Sequence, residues 1–269
     1  MSEFPVAFVQ YFGALILLTL GVPVICGLAV GLCSSAFSRL MGSGSRAVFD
    51  LTAIIGTPVH ELGHAVMCPL FGHRIEKMRL WSPFSENGMY GFVDHSYNKR
   101  NPWALLGNLF IGLGPIFSGM LVTVLMLRFC FPEQWLSYLA LSKETLQLET
   151  ASDVLKSLLA LLKMLPKAFM EHPWRSLLGL AVILPISLHI SLSWLDIKGS
   201  LRAMPIYLLL TLLFALVTQL IGIDRIMTSW LSLLNLRLAS LFCVVLAFSL
   251  LWVLLGLLIR GIKIVASWF

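Results

Sequence analysis

Apolar residues run through this chain in long blocks separated by short polar breaks, and these blocks set the expected elements. Residues 5–34, 48–71, 103–131, 175–202, 203–223 and 238–260 are each long and apolar enough to cross a hydrocarbon layer as a helix. Backbone groups in lipid have to be satisfied within their own segment, so the blocks are expected as helices rather than open strands. The fourth and fifth are parted only by a polar break from Lys198 to Arg202. The first lacks a basic leading region and exceeds the apolar core of a cleavable signal, which makes it an expected retained span.

Two polar stretches interrupt the blocks. In the first, Arg74 to Leu80 alternates charged and apolar residues, Glu86-Asn87-Gly88 signals a turn, and Met89 to His95 can return as a second strand. The second stretch, 132–173, sets Leu155, Leu158, Leu159, Leu162 and Leu165 opposite Lys156, Lys163 and Lys167. That pattern predicts an amphipathic helix on the membrane surface. The expected fold is an all-α polytopic membrane protein of about six transmembrane helices. It is one domain over residues 1–269 with a small β-hairpin after the second helix.

Composition agrees with a bilayer. The chain is 58% hydrophobic and 12% charged, with mean hydropathy +0.90, against roughly 25% charged residues in ordinary globular chains. The net charge of +6 is explained by basic residues flanking spans and facing anionic headgroups. No basic patch interleaves with aromatics, so no nucleic-acid partner is expected. Lys and Arg divide nearly evenly between the two sides and set no orientation. The five cysteines, Cys26, Cys33, Cys68, Cys130 and Cys243, form no C-x-x-C pair and read as small buried hydrophobes.

The chemistry concentrates in the second block. His60-Glu61-Leu62-Gly63-His64 is an H-E-x-x-H pattern. On a helix it brings two imidazoles onto one face, spaced as two ligands of one zinc ion, with Glu61 beside them as a general base toward water. Ionisable residues inside a span are costly in lipid and mark function by default. A catalytic zinc takes a third protein ligand. Asp196, a carboxylate near the end of the fourth block, is one candidate. The second and fourth blocks should run parallel, so its depth can match that of His60 and His64. Glu149 and His189 are the other candidates. In a regular helix His189 would stand about 10 Å from Asp196, which favours a supporting role for it over shared ligation. Asn108, ahead of Gly112-Leu113-Gly114-Pro115, is a candidate donor to a substrate carbonyl or oxyanion. His73, His95 and His172 read as solvated loop histidines.

HELGH within a span, a polar hairpin after it, a Gly-Pro third span and a later S-x-x-D-x-x-G resemble the site-2 protease class of intramembrane zinc metalloproteases. The resemblance covers roughly residues 46–202. It implies Zn2+ as cofactor, Asp196 as third ligand and peptide hydrolysis in or near a membrane segment of a protein substrate. The expected setting is a bacterial inner membrane. Leu195-Asp196 is followed by Ile197, with Gly199 beyond, where that class usually has Gly directly after Asp; this marks a divergent branch. Glu149-Thr150-Ala151-Ser152-Asp153 looks like the E-x-x-x-D segment of the Ste24-like membrane proteases, and would make Glu149 the third ligand instead. A catalytically silent zinc-site scaffold is a further alternative. A transporter would spread ionisable groups over several spans, which this chain does not do.

Overall fold

The computed structural model describes residues 3–83, 89–137, 159, 163 and 165–266. Helix α1 (Glu3–Ile16) passes through a π-helical turn (Leu17–Gly21) into α2 (Val22–Met41). Gly42, at φ 60° and ψ −132°, leaves the helical region, a conformation open to a residue without Cβ. The chain folds back there into α3 (Ser45–Leu70), so that Val30 of α2 meets Ile55 and Val59 of α3 in one apolar cluster. Strands β1 (Arg74–Arg79) and β2 (Phe92–Ser96) follow, then α4 (Pro102–Cys130), α5 (Pro173–His189), α6 (Trp194–Leu201), α7 (Met204–Ile221) and α8 (Asp224–Ala266).

Four helical stretches are long and apolar enough to cross a membrane: Val6–Leu70, Pro102–Cys130, Met204–Ile221 and Asp224–Ala266. The bent pair α5–α6 brings the number up to five. A mainly helical chain with four or five candidate spans agrees in outline with the expected membrane fold of about six, and two expected elements differ. The block 175–202 is not one helix, because α5 stops at His189 and α6 continues at 60° to it. Ser193 starts α6 with a capping box: its Oγ accepts the Asp196 N–H at 3.2 Å, and the Asp196 carboxylate accepts the Ser193 N–H at 2.7 Å. Residues 224–237, expected as a link, are the first turns of α8, because Leu231 packs with Tyr11 and Leu15 of α1 and no breaker interrupts the helix.

The hairpin is present. β1 and β2 pair antiparallel, with Arg74 opposite Ser96 and Met78 opposite Val93, and a bulge between Ile75 and Lys77. The expected turn at Glu86-Asn87-Gly88 lies outside the described residues, as does Glu149. Most of the expected amphipathic stretch does too; its described residues 159, 163 and 165–171 are helical, and Ala168 is buried with Leu127, Phe131 and Trp135.

In lipid, apolar surface gives helices little reason to associate, and close packing of small residues takes over. At the crossing of α3 and α4, a Cβ on Gly63 would lie 2.5 Å from the Gly114 carbonyl oxygen. Around α8, Ser249 Oγ donates to the Ser187 carbonyl at 2.8 Å and Trp252 Nε1 to the Leu184 carbonyl at 3.0 Å, tying that helix to α5. The core draws on α3, α4 and α5 together with Val30 of α2 and Phe242, Val244, Val245 and Phe248 of α8, and Gly112 of α4 lets α6 dock on that helix.

Candidate metal centre

The helical repeat of α3 puts His60 and His64 one turn apart, with 3.3 Å between their Nε2 atoms. Asp196, in the first turn of α6, completes the group. Its Oδ1 lies 3.1 Å from His64 Nε2 and its Oδ2 lies 3.8 Å from His60 Nε2. One donor atom from each residue falls within 4.8 Å of the other two, and this is the one such group among the described residues. A group of this kind can hold a metal ion. The sequence-based trio of His60, His64 and Asp196 is thus brought together.

Both rings are oriented from behind. His60 Nδ1–H donates to the His189 carbonyl at 2.9 Å, and His64 Nδ1–H donates to the Ile111 carbonyl at 2.7 Å. A carbonyl can only accept, so each neutral ring carries its proton on Nδ1 and turns a bare Nε2 toward the centre. The two acceptors are available because the helices release them. Pro115 has no N–H to give to the carbonyl four residues back, which is that of Ile111. The His189 carbonyl is an end-of-helix orphan, since the Ser193 N–H that would have reached it goes to Asp196. Second-sphere bonds of this type fix the tautomer and aim of metal-binding histidines. Asp196 is aimed by its capping box, and α6 can sit this close to α4 because a Cβ on Gly112 would lie 2.7 Å from the Asp196 carbonyl oxygen.

Glu61 is buried beside the pair. The segment leading into β2 lies against it: a Cβ on Gly91 would be 2.7 Å from Glu61 Cγ. Next to it Tyr90 reaches back to α3, its hydroxyl donating to Asp50 Oδ1 at 2.7 Å. Burial, then this bond, push the Tyr90 phenol up to about 12. A cavity of about 490 Å³ opens over the group, bordered by Glu61, Tyr90, His95, Asn108 and Asp196.

The other candidates fall differently. The regular-helix distance between His189 and Asp196 does not apply, because the chain breaks between them. His189 supports His60 through its carbonyl, while its ring meets Thr52 Oγ1 at 2.9 Å. Asn108 borders the cavity, and its Nδ2 donates to the Leu105 carbonyl of its own helix at 3.1 Å. Ser118 ties α4 to α3 by donating to the Val59 carbonyl at 2.8 Å. His172 is exposed as expected. His73 is not a solvated histidine: it is 5% exposed, with Nδ1 2.9 Å from His95 Nδ1 and Nε2 2.7 Å from the Ala104 carbonyl. His95 is half-buried at the cavity edge. The antiparallel register bears on the change: with Arg74 opposite Ser96 and Ile75 opposite His95, His73 falls level with Tyr97, on which it stacks, and diagonal to His95. Cys68 is fully buried and its carbonyl accepts the His73 N–H at 2.8 Å, a packing role.

Two imidazole nitrogens and a carboxylate oxygen, each with its far side already bonded, suit a divalent transition metal. No protein-family model, no curated protein and no solved structure matches the chain.

Proposed function

We propose that this protein is an intramembrane zinc metallopeptidase, a divergent relative of the site-2 protease class. One observation carries the proposal: His60, His64 and Asp196 present three donor atoms within 4.8 Å of one another, in apolar surroundings, with the Glu61 carboxylate adjacent. Two His and one carboxylate leave a coordination position free, the arrangement of catalytic rather than structural zinc. Zinc held there would polarise the scissile carbonyl and acidify water next to it. Glu61 takes the proton from the attacking water and passes it to the leaving nitrogen. His189 and Ile111 hold the two imidazoles in place through their carbonyls. Asn108 stands at the cavity edge, where turning its Nδ2 away from the Leu105 and Ala104 carbonyls of its own helix would let it donate to the substrate carbonyl.

The substrate is a membrane protein or a membrane-associated peptide, reached within the bilayer by a chain with four or five candidate crossings among its described residues. A peptide must be extended to be cut, because a helix hides its carbonyls. β2 borders the cavity and offers an open strand edge on which the peptide adds as a further strand.

The test is cleavage by detergent-purified, zinc-loaded protein of an unfolded protein and a panel of transmembrane peptides, beside Glu61→Gln. Cleavage by the wild type that Glu61→Gln abolishes, with zinc content equal in both, is the expected result. Equal zinc and no cleavage by either protein would leave a silent scaffold and overturn the peptidase.

A further inference from the structure

The chain holds a second histidine pair that the reaction described above does not use. His73 sits just past the end of α3 and His95 sits in β2. Their Nδ1 atoms are 2.9 Å apart, and the His73 ring stacks on Tyr97 with 4.5 Å between centroids. His73 Nε2 is 2.7 Å from the Ala104 carbonyl. The approach is a fitted one, since a Cβ on Gly107 would come within 3.0 Å of His73 Nε2.

These contacts determine where the protons are in the neutral pair. Ala104 O can only accept, so His73 carries its proton on Nε2 and leaves Nδ1 bare. His73 Nδ1 is then an acceptor, and the nitrogen facing it, His95 Nδ1, must be the donor. His95 Nε2 is left as a lone pair. Among the described residues it has no hydrogen-bond partner, and it is not one of the buried unpartnered atoms. Burial first, then His73 and His64, hold the His95 imidazole below its ordinary pKa. A neutral ring locked this way cannot donate to an oxyanion. It can only accept.

We propose that His95 Nε2 accepts a main-chain N–H of the bound peptide, with His73 as the positioning residue that fixes the tautomer. The inference rests on the peptidase reading, because it supplies the peptide. Strand addition along β2 is sequence-tolerant and leaves register open; one side-chain acceptor at the cavity edge selects which peptide bond comes to rest over His60, His64 and Asp196. An N–H is the matching group, since extended peptides carry one on every residue except proline.

The test uses a zinc-chelating dipeptidyl hydroxamate and its two analogues in which one amide at a time is replaced by an ester. Binding is measured on purified wild-type, His95→Phe and His95→Gln proteins. In the wild type, one of the two swaps should weaken binding about three- to tenfold, the worth of one net hydrogen bond. His95→Phe should abolish that difference, and His95→Gln, which keeps an acceptor near the Nε2 position, should retain part of it. An undiminished swap effect in His95→Phe, or no binding of the hydroxamate by the wild type, would overturn the proposal. Should His95→Phe fail to fold, ¹⁵N-histidine spectra of the wild type decide: a bare Nε2 on His95 supports it and an Nε2–H tautomer sinks it. Protein that shows the swap effect but cuts no peptide would refute the peptidase while leaving His95 as an amide acceptor.

Discussion

Pro115 stands four residues after Ile111 in α4, and its missing N–H leaves the Ile111 carbonyl free to hold the His64 Nδ1–H at 2.7 Å. A proline inside a membrane helix thereby acts on a ligand one helix away. In Pro115→Ala the restored N–H competes for that carbonyl, and His64 loses part of its orientation. Second-sphere changes of this kind cost about 10–100-fold in metal affinity. Zinc affinity, measured by competition with a chromophoric chelator, should fall about tenfold, while helix content by circular dichroism stays constant. Unchanged affinity would show that the carbonyl does not need to be released.

Asp196→Ala should weaken zinc more than Ser193→Ala does. The first removes a donor atom, and the second removes only the capping partner that aims it. Losing an N-cap hydroxyl costs about 1 kcal/mol of helix stability, so Ser193→Ala should lower the melting temperature slightly and leave stoichiometric zinc at saturation. A His60→Ala, His64→Ala double variant should retain none. Metal analysis of the purified proteins checks all three, and full zinc in Asp196→Ala would remove that residue from the ligand set.

How much of this centre was legible beforehand depends on the range of the interaction. His60 and His64 are one helical turn apart, so their spacing alone places them together. Asp196 required only that two blocks run parallel, which the number of crossings supplied. The break before it was missed because its only polar residues, Ser191 and Ser193, are small and alternate with Ile190, Leu192 and Trp194, so the block still reads as apolar. Ser193-Trp194-Leu195-Asp196 nevertheless carries a capping-box signal that could have located it. His73 and His95 read as solvated because each was judged by its own polar neighbourhood. Pairing the two strands in register sets His73 level with Tyr97 and diagonal to His95, close enough for the two rings to meet. Which carbonyl each ligand's Nδ1 finds is a matter of tertiary packing, and Pro115 marks Ile111 as released without saying what will use it.

Gly63→Ala should separate α3 from α4. Its Cβ would stand 2.5 Å from the Gly114 carbonyl oxygen and 2.6 Å from Pro115 N, both backbone atoms that cannot step aside like a side-chain tip. The helices have to part, and the Ile111 carbonyl moves off with α4 while His64 stays on α3. The expected result is a lower thermal midpoint together with weaker zinc binding, whereas Gly261→Ala, with open space around it, should change neither. A Gly63→Ala protein with wild-type zinc affinity would mean that the crossing does not position the centre.

The placement of the hairpin at the cavity allows strand addition to be tested on one edge. β2 borders the cavity through Phe92 and Val93, whereas β1 is exposed over most of its length. The outer edge of β2 is therefore the one a peptide would join. Along a strand, successive N–H groups alternate between the partner and the open edge. Of Val93→Pro and Asp94→Pro, one removes a donor from the β1–β2 ladder and the other removes an open-edge donor. The open-edge variant should fold, keep its zinc and cleave several-fold more slowly, with the loss in KM if the strand contributes only binding. The ladder variant should lose stability as well. If both proteins fold, hold zinc and cleave at the wild-type rate, the peptide does not add to β2, and helices α4 and α6 must hold it instead.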